Sequence, residues 1–251
     1  MDKQPGKPRV AFFDVENSPS LGWFYDLYKE GNIVATEQPW FMLSFAWKKP
    51  GNSKVHCEGL IDYPGYDKDK TNDEKLVRDL WKLFDENDVL IGQNIDRFDT
   101  RKANSRFLYW GLKPPSPYKT VDTLKIARRI FKQDSNRLGD LSKFLGYEDK
   151  LPTHGWDTWR GCINGDRKSW NDLKKYNAHD VVINEFVYDR LAPWLPNHLS
   201  LNAFGQPGCP VCSSPRVQSR GFNIAKTRRT PRLHCQDCGH WHTGAAEKKA
   251  A

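Results

Sequence analysis

Apolar and polar positions change their spacing along the chain, and the changes divide it. Residues 10–13 (Val-Ala-Phe-Phe) and Val15 form a short run of β-forming side chains. Residues 18–38 read as a connection rich in aromatics, with Trp23, Phe24, Tyr25 and Tyr28. A second apolar strand follows over 40–48, then the turn Pro50-Gly51-Asn52-Ser53, then a third strand over 54–61. Three strands with short joins predict an antiparallel meander. Beyond residue 70 the period lengthens: Thr71-Asn72-Asp73-Glu74 has the form of a capping box, and Leu76, Leu80, Leu83 and Phe84 recur at helical spacing to about Glu86. A short buried strand is predicted over 88–92 and a helix over 100–111. Val121-Asp122-Thr123 then opens a helix running to Phe131, and a short helix over 138–145 is closed by Gly146. Residues 146–168 read as irregular, and a long helix runs over 169–191 until Pro193 stops it. Strands followed by helix–strand–helix alternation predict an α/β core, a mixed sheet flanked by helices on both faces.

A chain of 251 residues suits one sizeable core with a small appendage. The expected division is a loose arm over 1–8, a main domain over 9–192, a Pro- and Gly-rich linker over 193–208, a small cysteine-bearing unit over 209–242 and a tail over 243–251. No apolar run reaches membrane-spanning length, and the polar start has no signal-peptide core, so the expected location is intracellular and cytoplasmic with no membrane partner. Net charge is +8, and its placement says more than its total. Arg216, Arg220, Lys226, Arg228, Arg229 and Arg232 stand against the single acid Asp237 within 209–242, which points to a polyanionic partner or to a solvated charged loop.

Two groups of residues carry candidate chemistry. In the first strand Asp14 and Glu16 are two apart and share a face. Two carboxylates beside an apolar run either hold a divalent cation or lie solvated where an edge strand ends. Asp96 and Asp99 follow the strand that ends at Gly92, as metal ligands or as caps of the next helix. Tyr176 and Asp180 are i and i+4 on the long helix and so stack on one face. The second group is Cys209-x-x-Cys212 and Cys235-x-x-Cys238, separated by 22 residues, a spacing suited to one tetrahedral Zn²⁺ in a zinc ribbon. Arginines interleaved with Phe222 and Trp241 suit phosphates and stacked bases, while a protein-docking ribbon is the competing reading.

The order Asp14-x-Glu16, then Asn94-x-x-x-Phe98-Asp99, then Tyr176-x-x-x-Asp180 resembles the three motifs of the DEDD superfamily of 3′–5′ exonucleases in its tyrosine-bearing branch, over residues 9–192. The resemblance implies a ribonuclease H-like fold and selects Asp99 over Asp96 and Tyr176 over His179. It further implies two Mg²⁺ or Mn²⁺ ions about 3.5–4 Å apart, one activating water and one stabilising the leaving 3′ oxygen. Asp14 would bridge them, Glu16, Asp99 and Asp180 would complete the sites, and Tyr176 would orient the attacking water. Asn94 is either a contact to the terminal nucleotide or a turn residue. Phage-encoded and similar replication or repair nucleases resemble this layout, and the resemblance makes a replication protein an expected partner. Single-stranded DNA is the favoured substrate, RNA is not excluded, and a non-catalytic nucleic-acid-binding protein is the rival from another class.

Overall fold

The computed structural model describes residues 6–26, 33–147, 155–202, 206–225 and 228–245. Its centre is strand β1 (Val10–Asn17), flanked on one side by β4 (Met42–Lys48) and β5 (His56–Gly59), and on the other by β6 (Val89–Gly92) and β7 (Lys119–Asp122). The order is β5-β4-β1-β6-β7, antiparallel on the β4 and β5 side and parallel on the β6 and β7 side. The mixed sheet is therefore as predicted. Its first three strands are the expected meander, although β1 and β4 are not joined directly. Residues 18–38 include a separate hairpin, β2 (Leu21–Phe24) with β3 (Ile33–Gln38), where only a connection was expected. Tyr28 lies outside the described residues.

The pleat of β1 explains the two-sided core. Ala11, Phe13 and Val15 enter one cluster with Leu76, Leu80 and Phe84 of helix α1 (Glu74–Glu86) and with Ala103 and Phe107 of α2 (Asp99–Tyr109). Phe12 enters the other, with Ile126 of α3 (Thr123–Ile130), Leu141 of α4 (Leu138–Phe144), and Val181 and Val187 of α6 (Arg167–Leu191). Phe13 meets Phe84 edge-on at 5.1 Å and Phe12 meets Tyr188 at 5.3 Å. Each fully buried Phe contributes about 1.5–3 kcal/mol, which fixes the register of β1 and with it the face that Asp14 and Glu16 share. On that face α6 crosses β1, β4 and β5. It is tied down by the nearly buried ion pair of Lys48 with Glu185, whose other oxygen accepts from the Gly51 amide at 2.7 Å.

Three local readings are corrected. The capping box does not form: Asp73 is fully buried and accepts from the Met42 amide (2.8 Å), from Trp110 Nε1 (2.7 Å) and from Arg106, while Asn72 accepts from the Glu74 amide. The helix starts at Glu74 behind Asp73, so Thr71 lies two residues before the cap with its amide and hydroxyl on Asp69, and Asp73 is turned to tertiary donors. Val121 and Asp122 end β7 instead of opening a helix, and the Asp122 side chain caps α3 by accepting from Leu124 N and Lys125 N. Within the stretch read as irregular, Trp156–Asn164 forms helix α5, and residues 148–154 lie outside the described residues.

Beyond α6 the chain packs back on the core. His198 Nε2 is 2.9 Å from the Tyr188 hydroxyl, and Leu201 is buried. The C-terminal unit is a three-stranded sheet, β8 (Val217–Ile224), β9 (Arg229–Cys235) and β10 (Trp241–Thr243), in the order β10-β9-β8. Val211 packs on the second core, Leu201 N donates to Pro210 O (2.8 Å), and His240 Nδ1 lies 2.9 Å from Pro193 O.

Candidate active site at the end of the first strand

Asp14 and Glu16 stand opposite Ala46 and Ser44 of β4, half-buried and facing α6. From that helix come Tyr176, Asn177 and Asp180, three positions on one face. Carboxylate oxygens of Asp14, Glu16 and Asp180 lie within 4.8 Å of one another. Asp99, 2% exposed at the start of α2, is outside that group of three, and its Oδ1 accepts from the Val15 amide at 3.2 Å. Its charge nevertheless reaches both Asp14 and Glu16. The structure thus brings together all four predicted carboxylates, three as one cluster and the fourth behind them on the β1 backbone.

Neutral groups hold these carboxylates. Asn177 Nδ2 donates to Asp14 Oδ2 at 2.6 Å, and its own Oδ1 accepts from Ser44 Oγ at 2.9 Å, which fixes the amide's orientation. Trp159 of α5 hydrogen-bonds Glu16 and meets the Tyr176 ring edge-on at 5.9 Å. Tyr176 hydrogen-bonds Asp180. Burial first, then the mutual repulsion of Asp99, Glu16 and Asp180, pushes the Asp14 carboxyl well above its ordinary range. Burial followed by Asp180 and Asp99 raises Glu16 to about 8, and burial raises Asp99 to about 7. Burial and the neighbouring Asp180 drive the Tyr176 phenol far above its usual value, so it keeps its proton and acts as a donor.

Carboxyls protonated more easily in the folded than in the unfolded state favour folding most below about pH 4, and that contribution is lost as pH rises towards about 8. The metal-free protein is therefore expected to melt at a lower temperature at pH 8 than at pH 5.5. Millimolar Mg²⁺ or Mn²⁺ should restore more at pH 8, where cation and proton no longer compete. Thermal scans with and without the ion check this, and a melting point blind to the cation at pH 8 would count against a metal cluster.

The other predicted residues separate from this cluster. Asp96 ion-pairs with Lys125. His179 lies near the Tyr147 ring, with centroids 6.0 Å apart. Asn94 sits in the left-handed region (φ 58°), its amide donating to Asp122 Oδ1 at 3.0 Å, which is turn geometry. Arg216 pairs with Asp237 at 2.8 Å, while Arg220, Arg228, Arg229 and Arg232 are exposed on the C-terminal sheet or its loop and Lys226 lies outside the described residues. Asn177 and Trp159 were not anticipated. Asn177 is three residues from Asp180 and so on its face, a signal available in the sequence; Trp159 belongs to the stretch without legible periodicity.

In the C-terminal unit the sulfurs of Cys209, Cys212, Cys235 and Cys238 lie within 4.8 Å of one another, a cluster compatible with a zinc ribbon. The Cys209–Cys238 and Cys212–Cys235 separations are 3.6 Å. A tetrahedron with metal–sulfur bonds of about 2.3 Å has edges of about 3.8 Å, so the donor set fits a tetrahedral metal.

A family profile described as the RNase H superfamily matches residues 42–192, more than half of the chain. The chain belongs to the RNase H superfamily. The match takes in β4 through α6, including Asp99, Tyr176 and Asp180, and begins after the strand that carries Asp14 and Glu16. Among solved structures, the family B DNA polymerase from the hyperthermophilic archaeon Pyrobaculum calidifontis matches with a TM-score of 0.55 and 17% identity, over 77% of this chain. That likeness is one of fold, and this RNase H-like chain spans about a quarter (26%) of the polymerase. No curated protein matches.

Proposed function

We propose that this protein is a metal-dependent 3′–5′ exonuclease acting on single-stranded DNA ends. The observation that carries the reading is the convergence of Asp14, Glu16 and Asp180 within 4.8 Å, backed by Asp99 and met by the Tyr176 hydroxyl on Asp180. An all-oxygen donor set of four carboxylates, met by the neutral groups Asn177, Val15 N, Trp159 and Tyr176, fits hard divalent cations such as Mg²⁺ or Mn²⁺. Two such ions, when bound, supply the positive charge that makes water a stronger nucleophile and stabilises the leaving 3′ oxygen.

The chain's own residues position that chemistry. Asp14, Glu16 and Asp180, with Asp99 behind them, would hold the ions. Asn177 holds the Asp14 carboxylate in one rotamer, and Trp159 does the same for Glu16. Tyr176 keeps its proton and so orients a water by hydrogen bonding instead of deprotonating it. The four cysteines would hold one Zn²⁺ as a structural ion, because all four positions are filled by protein.

The deciding assay is digestion of 5′-labelled single-stranded DNA and RNA with Mg²⁺ or Mn²⁺. The expected product is a ladder shortened stepwise from the 3′ end, with DNA the faster substrate. Early loss of the 5′ label or internal scission overturns the polarity, and inertness towards both polymers with every ion overturns the enzyme. Tyr176→Phe is expected to lower kcat by about 10–100-fold with little change in KM, since only an orienting hydrogen bond is removed. An unchanged kcat would remove Tyr176 from the mechanism.

A further inference from the structure

The C-terminal sheet carries a constellation that the carboxylate site does not use. Antiparallel pairing sets Trp241 opposite His234, Thr243 opposite Arg232, and Gln218 opposite His234. Cross-strand partners share a face, as do residues two apart, so Gln218, Arg232, His234 and Trp241 lie on one side of the sheet. The Trp241 and His234 rings stack, centroids 4.3 Å apart and planes 22° apart. The Arg232 guanidinium is 5.6 Å from the Trp241 ring, and its Nε donates to the Arg220 carbonyl at 3.1 Å. Gln236 Nε2 lies 3.1 Å from His234 Nδ1. The stack is thus fixed in place, yet Trp241 keeps 47% of its surface exposed.

The charge around this platform is one-sided. Asp237, the single acid in residues 209–242, is already occupied by Arg216 (2.8 Å) and Ser214. An apolar protein partner would meet cations here. A polyanion bearing flat rings meets complementary charge and a stacking surface together. We infer that Trp241 and His234, with Arg232 and Arg220, form a stacking and phosphate-binding subsite for single-stranded nucleic acid, upstream of the 3′ end held at the carboxylate cluster. This placement rests on the exonuclease reading and on helix α6. From Asp180 to Tyr188 the helix advances about 12 Å, and Tyr188 packs in the same core as Val211 of the first cysteine knuckle. The ribbon therefore adjoins the C-terminal end of α6, the helix that also carries Tyr176 and Asp180.

Binding of a fluorescein-labelled oligothymidylate of about twenty residues to the Asp14→Asn protein, followed by anisotropy at several salt concentrations, tests this without hydrolysis. Trp241→Ala should weaken binding by about 5–100-fold. Trp241→Phe, which keeps a ring, should recover most of that loss. Arg232→Gln and Arg220→Gln should each flatten the slope of log K against log salt by about one. An oligonucleotide carrying 5-iodouracil should crosslink to the peptide containing His234 and Trp241, and zinc content near one per chain certifies that each variant ribbon is folded. A zinc-replete Trp241→Ala protein that binds like the parent overturns the inference, as does crosslinking confined to residues 9–192 or a ribbon that captures protein and no oligonucleotide. Tight, ribbon-dependent binding by a wild-type protein that shortens no strand would overturn the exonuclease reading alone.

Discussion

On the proposed reading, Asp14→Asn is expected to lower phosphodiester hydrolysis by about a thousandfold or more and, in the absence of metal, to make the fold more stable. The two effects share one cause. Asp14 lies on the central strand with Glu16 and Asp180 within 4.8 Å and Asp99 close behind, so its negative charge is opposed by burial and by three neighbours. Asn has the same shape, can still accept from Asn177, and brings no charge to repel. What it cannot do is neutralise a cation, and loss of a direct ligand exceeds the 10–100-fold typical of losing a group that only orients one. Steady-state rates, Mn²⁺ titration calorimetry and a metal-free thermal scan check the three parts. A variant that keeps a tenth of the activity, or one that melts lower than the wild type without metal at pH 8, contradicts the reading of Asp14 as a metal ligand.

The second large effect is expected at the cysteines. Purified protein should hold about one zinc per chain, and the double variant Cys209→Ser, Cys212→Ser should hold none. Between the knuckles, β8 is exposed except at Val217 and Phe222, and β9 is half-covered with Cys235 its one buried residue. So small an apolar interior cannot hold a sheet together, whereas a structural zinc supplies an apparent 10–16 kcal/mol in comparable peptides, as an order of magnitude. Limited proteolysis should therefore cut the variant within 209–245 and spare the α/β core. A variant with full zinc content, or one as resistant as the parent, would refute the four-cysteine site.

What could be read from the sequence was whatever is encoded by neighbours along the chain. Alternation in Phe12, Asp14 and Glu16 placed the two carboxylates on one face, and the i, i+4 spacing of Tyr176 and Asp180 stacked them on a helix; both hold in the structure. The four cysteines were legible for the same reason. Interactions that depend on distant partners were not. Asp73 looked like part of a helix cap until Arg106 and Trp110, more than thirty positions away, claimed it. The strand Lys119–Asp122 has one strongly apolar residue, and only the neighbouring β6 makes it a strand. Helix α5 carries Gly161 in its interior and buries only Thr158 and Cys162, too little apolar periodicity to announce a helix, and so Trp159 was missed.

The hydrogen bond between Asn177 and Asp14 spans 163 positions. Its two ends come from the first strand and the last helix of the α/β core, with β4, β6 and β7 threaded between. Local helices can form early in biosynthesis, but a contact of such long sequence range must wait for nearly the whole domain. The nascent chain therefore carries Asp14 and Glu16 on β1 long before Tyr176, Asn177 and Asp180 of α6 have emerged to complete the cluster. On the proposed exonuclease reading, competence for cleavage would arrive as one late event of folding.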